Sequence, residues 1–243
     1  LRRYNTLIIP SGRSLNEYTL KILKDWVSQG GTLIAHNSST RSLASDKGIG
    51  SVKQLQNTFE NSKEYNFDLM REIYALDNDI NKDMTNENNI NFELSYPWEE
   101  IEGFLSKNEL KDRDKWQSIF MPSGSFVAGR IDNEHWLTFG TTETIPVLYS
   151  NYPILMTRSN SDAPVRIGNM IPNNEIDVPR VVNWSSIPAG FDLNVRMSGL
   201  VWPEASQRIA NSAYLTRERV GNGQVILFSG EPNFRGATLG TNR

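Results

Sequence analysis

Two short polar clusters follow apolar runs near the start of the chain, Pro10-Ser11-Gly12 and His36-Asn37-Ser38-Ser39. A hydroxyl beside an imidazole is the raw material of nucleophilic catalysis, in which a base takes the hydroxyl proton and a third group orients the base. Ser38 and Ser39 are therefore the candidate nucleophiles. The Gly-x-Ser-x-Gly frame that lets a sharp catalytic elbow fit is absent around them. Ser11, Gly12, His36, Asn37 and Ser38 together form the alternative, a polar strand-end loop able to bind a small ligand.

Metal chemistry has little to work with. The chain contains no Cys and two His, 99 positions apart. A peptidase-type zinc site needs His-x-x-Glu and a distant His, yet Ser39 stands three residues after His36 and Thr138 three after His135. No Asp-x-Asp-x-Asp-Gly calcium loop occurs either. The expected ligand set is none, with no cofactor in this stretch of polypeptide. A net charge of -3 provides no basic field for nucleic acid, and no run of about 18 apolar residues predicts a membrane span.

The two clusters must be positioned by the elements that precede them. Leu7-Ile8-Ile9 predicts a buried strand ended by Pro10 and Gly12. Ser14-Leu15-Asn16-Glu17 has capping-box spacing, which predicts a helix from there. Leu15, Tyr18, Ile22, Leu23, Trp26 and Val27 then recur at three- and four-residue steps, and Gly30-Gly31 ends the run. Thr32-Leu33-Ile34-Ala35 follows as a second strand. Two apolar strands joined by a helix predict parallel neighbours in an open α/β sheet, with ligands at the strands' carboxyl ends.

Beyond Gly48 the texture changes. Residues 51–120 hold eight Lys or Arg against fifteen Asp or Glu, with ten Asn, and read as a polar helical insertion. Phe67, Met70, Ile73, Tyr74 and Leu76 predict one amphipathic helix; Trp98, Ile101, Phe104 and Leu105 predict another. Residues 77–97 carry too little apolar surface to offset their ordering entropy, which predicts early proteolysis there. Short strands are expected over 125–131, 145–149 and 154–156. Ala213–Val220 and Gln224–Ser229, joined by Gly221-Asn222-Gly223, predict a C-terminal hairpin. The six Trp are scattered widely enough to predict core and loop anchors over a sugar platform.

The order of Leu7–Gly12, Trp26–Ala35 and Gly223–Phe228 resembles a class I glutamine amidotransferase-like domain. More narrowly, Ser125–Gly140 and Gly221–Gly236 are similar to the amidotransferase-like domain that follows the catalytic domain in bacterial zinc-carboxypeptidase-like proteins. The resemblance implies a flavodoxin-like open parallel sheet over a single domain, 1–243, with the 51–120 insertion inside it. It also implies a Cys at the turn after Thr32–Ala35, where this chain has His36-Asn37-Ser38, and a late His-x-Glu pair, where Ser229-Gly230-Glu231 has the carboxylate alone. The glutaminase activity is therefore not carried over.

What the resemblance leaves is a non-catalytic accessory domain, partnered by an upstream catalytic domain of the same polypeptide in which any zinc would lie. It favours a secreted or periplasmic setting. Leu1 opens the chain only five residues before the first strand, and the glycine-rich end at Arg243 is open, so a piece clipped at both ends is expected. A serine hydrolase using Ser38 or Ser39 and a carbohydrate- or peptide-binding module are the alternatives.

Overall fold

The computed structural model describes residues 3–12, 14–62, 64–66, 68, 69, 105–158, 160–182 and 185–233. Both helices predicted for 67–76 and 98–105 fall outside these residues, apart from isolated positions at their margins, as do residues 77–97. The fold starts with β1 (Thr6–Ile9), α1 (Glu17–Ser28) and β2 (Thr32–His36), and β1 pairs with β2 in parallel, Thr6 opposite Thr32 and Ile9 opposite Ala35. The predicted β-α-β unit is therefore present.

Its helix begins two residues later than the capping-box spacing predicts. Asn16 is the N-cap, its side-chain oxygen accepting from Thr19 N at 2.8 Å. Ser14 instead turns its hydroxyl toward that of Ser42, 3.3 Å away. Asn is as good a cap as Ser, and the tertiary contact to Ser42 decides between them. Leu20, Leu23, Trp26 and Val27 bury the inner face, whereas Tyr18 and Ile22 stay exposed. Gly30 ends the helix at φ +116°, a conformation costly for any residue with a Cβ.

The chain continues through α2 (Asn37–Leu43), β3 (Lys53–Gln54) and α3 (Leu55–Thr58). After the undescribed stretch come α4 (Lys107–Ser118), β4 (Ser123–Ile131), β5 (Thr144–Ser150), β6 (Leu155–Met156) and β7 (Asp162–Ile167). Smaller strands follow: β8 (Asn169–Pro172), β9 (Arg180–Val182), β10 (Ser185–Ile187), β11 (Phe191–Asn194) and β12 (Arg196–Ser198). Helix α5 (Pro203–Ile209) leads into the hairpin of β13 (Ala213–Val220) and β14 (Gly223–Phe228). Gly221, at φ +61°, sits in its tight turn, as the sequence predicts.

The main sheet has ten strands in the order β1-β2-β14-β13-β7-β4-β12, with β5 on β4 and the β3-β6 pair joined to β13. Strands β1, β2 and β14 run parallel, while β13, β7, β4, β5 and β12 are joined by antiparallel pairings. The fold is thus α/β with a mixed sheet, and the purely parallel arrangement holds for one end of it. The physical reason is the hairpin: a two-residue turn can join only antiparallel strands, so once β14 docks parallel to β2, β13 must run against both, and the strands beyond it continue the sheet by antiparallel pairing.

Alternation then splits the core between two faces. Leu33, Ala35, Val225 and Leu227 pack under α1 and α2, and Ile226, with Ile34 beside it, points to the opposite layer. That second layer holds Tyr149, Ile209, Leu110, Leu55 and Phe59. Within the described parts of the polar segment, Val52, Leu55, Phe59, Tyr65 and Leu110 are buried. They belong to the body of the domain. No helix among the described residues is long and apolar enough to cross a membrane.

Candidate functional site

Strand β2 passes into α2 without a loop, because Asn37 takes φ +43° and turns the backbone in one residue. Asn tolerates the left-handed region better than other residues with a side chain, which is the local reason the turn forms here. The apex of the elbow is consequently Asn37. Its Nδ2 donates to Glu231 Oε1 at 3.2 Å, tying the elbow to the segment just after β14.

The two serines face another way. Ser38 Oγ donates to Gly12 O at 2.7 Å, accepts from Gly12 N at 2.7 Å, and lies 3.1 Å from Ser11 Oγ. Ser39, buried, donates its hydroxyl to Pro10 O at 2.7 Å. Both hydroxyls bind the β1–α1 loop, so the elbow and the loop after β1 are laced together. The site residues read from the sequence, Ser11, Gly12, His36, Asn37, Ser38 and Ser39, thus meet at the carboxyl ends of β1 and β2. The hydroxyls are held by backbone atoms of that loop, with no imidazole contact among the described hydrogen bonds.

His36 ends β2 opposite Phe228 of β14, and its ring meets the Phe228 ring edge-on at 5.3 Å. Burial lowers the imidazole below its ordinary value, and the Glu231 carboxylate partly offsets this. The neutral form is favoured. Tyr152 and Tyr214 lie within electrostatic reach of Glu231, both raised above the usual phenol range, chiefly by burial and in part by that carboxylate. A Cβ on Gly230 would come within 2.6 Å of the Tyr152 ring, so glycine here lets the ring close over the strand end.

The assembled edge therefore offers a carboxylate, an amide, a neutral imidazole and two phenols. Such a set orients hydrogen-bonding groups of a small polar ligand. Glu231 is the carboxylate that the sequence places after the last strand, whereas Tyr152 and Tyr214 were not identified from it. The signal available for Tyr152 is its place in Asn151-Tyr152-Pro153, a turn between two short strands.

Other chemistry-bearing residues lie elsewhere. His135 Nε2 is 3.4 Å from Asp162 Oδ2, and Arg217 Nη1 is 3.2 Å from the same oxygen. This cluster fastens the loop before β5 to β7 and β13. Among the described residues, no group of three or more His, Asp or Glu is placed to hold a metal ion. Trp26 is buried, while Trp116, Trp136 and Trp202 are exposed. Trp116 and Trp202 flank Phe120, with ring centroids 5.2 and 6.4 Å from it, beside a cleft of about 390 Å³ lined by Phe120, Ser123, Ser125, Leu200 and Trp202.

No protein-family model matches the chain, and no curated protein sequence matches it. Among solved structures it is similar to Cytoplasmic Protein STM1381 from Salmonella typhimurium LT2, with 11% identity and a TM-score of 0.36. The match covers 97% of this chain and 64% of that one. Likeness at this distance carries no argument about function.

Proposed function

We propose that this domain is a non-catalytic accessory module that binds a small polar ligand or a neighbouring domain at its strand-end edge, within a zinc-carboxypeptidase-like polypeptide. The observation that carries the non-catalytic part is the elbow itself. Its apex, where an amidotransferase-type nucleophile would stand, is Asn37, and an amide is neither a nucleophile nor a base. The Ser38 hydroxyl is engaged by Gly12 on both its donor and acceptor sides. The resemblance supplies the parent and the amidotransferase-like, flavodoxin-related character; the site chemistry supplies the binding role.

The test is direct. The 243-residue chain is expected to hydrolyse no glutamine, ester or peptide substrate above buffer and to remain unlabelled by a fluorophosphonate probe. Labelling that disappears in Ser38→Ala or Ser39→Ala would overturn the proposal in favour of a serine hydrolase.

A second reading, a carbohydrate- or peptide-binding module, is favoured by the Trp116-Phe120-Trp202 surface, because exposed aromatic faces beside a polar cleft suit stacking ligands. Quenching or a shift of tryptophan fluorescence on titrating soluble glycans or extended peptides, lost in Trp202→Ala, would support it. A flat titration would remove it.

A further inference from the structure

Glu231 spans an arc of aromatic rings at the strand-end edge. A Cβ on Gly230, the residue before it, would lie 2.6 Å from the Tyr152 ring and 3.0 Å from the Tyr214 ring, so both rings close on this backbone. The Tyr214 ring meets that of Phe228 edge-on with centroids 6.1 Å apart, and the Phe228 ring meets that of His36 at 5.3 Å. The arc thus runs Tyr152, Tyr214, Phe228, His36. The Glu231 backbone leaves from the tyrosine end, and its carboxylate is tied through Oε1 to Asn37 Nδ2 at 3.2 Å, next in the chain to His36 at the other end.

The charge of this carboxylate is left unmatched by its neighbours. Its hydrogen bond comes from a neutral amide, and no Lys or Arg among the described residues pairs with it. Arg41, one turn beyond Asn37 on α2, donates Nη2 to Asn151 O instead, and burial favours the neutral form of His36. His36, Asn37, Tyr152, Phe228 and Glu231 are all partly exposed, so the charge is partly dehydrated yet open to solutes. Calcium and magnesium take about six or more oxygen ligands, and no group of three or more His, Asp or Glu gathers among the described residues. An organic cation suits the edge better. Aromatic rings attract it through their quadrupole, and Glu231 Oε2 and Asn37 Oδ1, which carry no hydrogen bond among the described residues, remain as acceptors for the N–H groups of an ammonium.

We infer that the strand-end edge binds a primary alkylammonium group, its N–H donors taken by Glu231 Oε2 and Asn37 Oδ1 and its first methylenes resting against the Tyr152 and Phe228 rings. This rests on the ligand-binding reading of the same edge and names the ligand's class, which a free amine or a lysyl side chain of a neighbouring domain can supply.

The experiment titrates the isotope-labelled 243-residue chain with n-butylammonium, Nα-acetyl-lysine methylamide, n-butanol and butyramide at constant ionic strength, following the Gly230 amide and the Asn37 side-chain amide by NMR. At least one ammonium probe is expected to shift both signals to saturation, and the two neutral probes to need at least about tenfold higher concentration for the same shift. Glu231→Gln keeps an acceptor for Asn37 Nδ2 and should weaken ammonium binding at least about tenfold, with the rest of the spectrum reporting that the fold is kept. Tyr152→Leu should weaken it about threefold through loss of the ring. Equal half-saturation by the two ammonium probes assigns a free amine, and markedly tighter binding of the lysine derivative assigns a side chain of a neighbouring domain; both support the inference. Neutral probes binding as tightly as the ammonium ones, or ammonium binding that survives Glu231→Gln, overturns it and leaves the ligand-binding reading in place. Saturation by none of the four probes overturns the inference and counts against that reading as well.

Discussion

His36 is a residue whose surroundings set a measurable pH dependence. Burial, the larger influence, lowers its imidazole below the ordinary value, and Glu231 only partly offsets this. The unfolded chain therefore takes up this proton at higher pH than the folded one. Its contribution to stability is complete above the unfolded value, roughly 6.5, and is lost as pH falls through the lower folded value. Urea midpoints should drop between about pH 7 and pH 5.5, and the drop should be smaller in His36→Gln; equal slopes in the two proteins would remove His36 as the cause. Glu218 makes a sharper case. This buried carboxylate on β13 accepts from Ser51 N at 2.8 and 2.7 Å and from Val52 N at 3.3 Å, fastening the loop before β3. Glu218→Gln puts an amide donor against backbone donors, for an expected loss of about 2 kcal/mol in urea unfolding. Neither role was legible in the sequence, since Glu218 sits 167 positions from Ser51 and no local pattern joins them.

At the scale of elements, the contact between α4 and α5 rests on a buried ion pair, Asp114 with Arg208, both under 10% exposed. Removing one partner leaves a charge without its counterpart, while replacing both by apolar groups removes the desolvation penalty too. Arg208→Met should therefore destabilise by about 3–5 kcal/mol, and Asp114→Leu combined with Arg208→Met should recover much of that loss. Equilibrium unfolding of the two variants checks both signs. The N-terminus of α4 was written locally: Ser106 accepts from Glu109 N at 3.4 Å, and the Glu109 carboxylate accepts from Ser106 N at 2.7 Å. Ser106→Ala should cost about 1 kcal/mol, read from the same measurement. The start of α1 shows where local signals stop. Ser14 and Asn16 are comparable caps by type, and a hydroxyl on α2, that of Ser42, drew Ser14 away.

For the whole molecule, composition already makes one prediction: with no Cys and two distant His, elemental analysis after dialysis should find zinc well below one atom per chain. A stoichiometric zinc would overturn it. The β-α-β start, the glycine stop after α1, the C-terminal hairpin and the polar clusters at the strand ends were determined by the sequence alone, because each rests on apolar period or on turn chemistry within about 25 residues. The mixed sheet was decided only by the tertiary structure. It depends on β14 docking beside β2 across 192 positions, Gln224 opposite Thr32, a pairing no local pattern encodes. The elbow divides in the same way. His36-Asn37-Ser38-Ser39 marks a turn by residue type, but folding alone put Asn37 at its apex, turned both serines to the β1–α1 loop, and brought Glu231, Tyr152 and Tyr214 around it. Local sequence sets which backbone shapes are cheap; which side chains meet is set by packing between segments far apart along the chain.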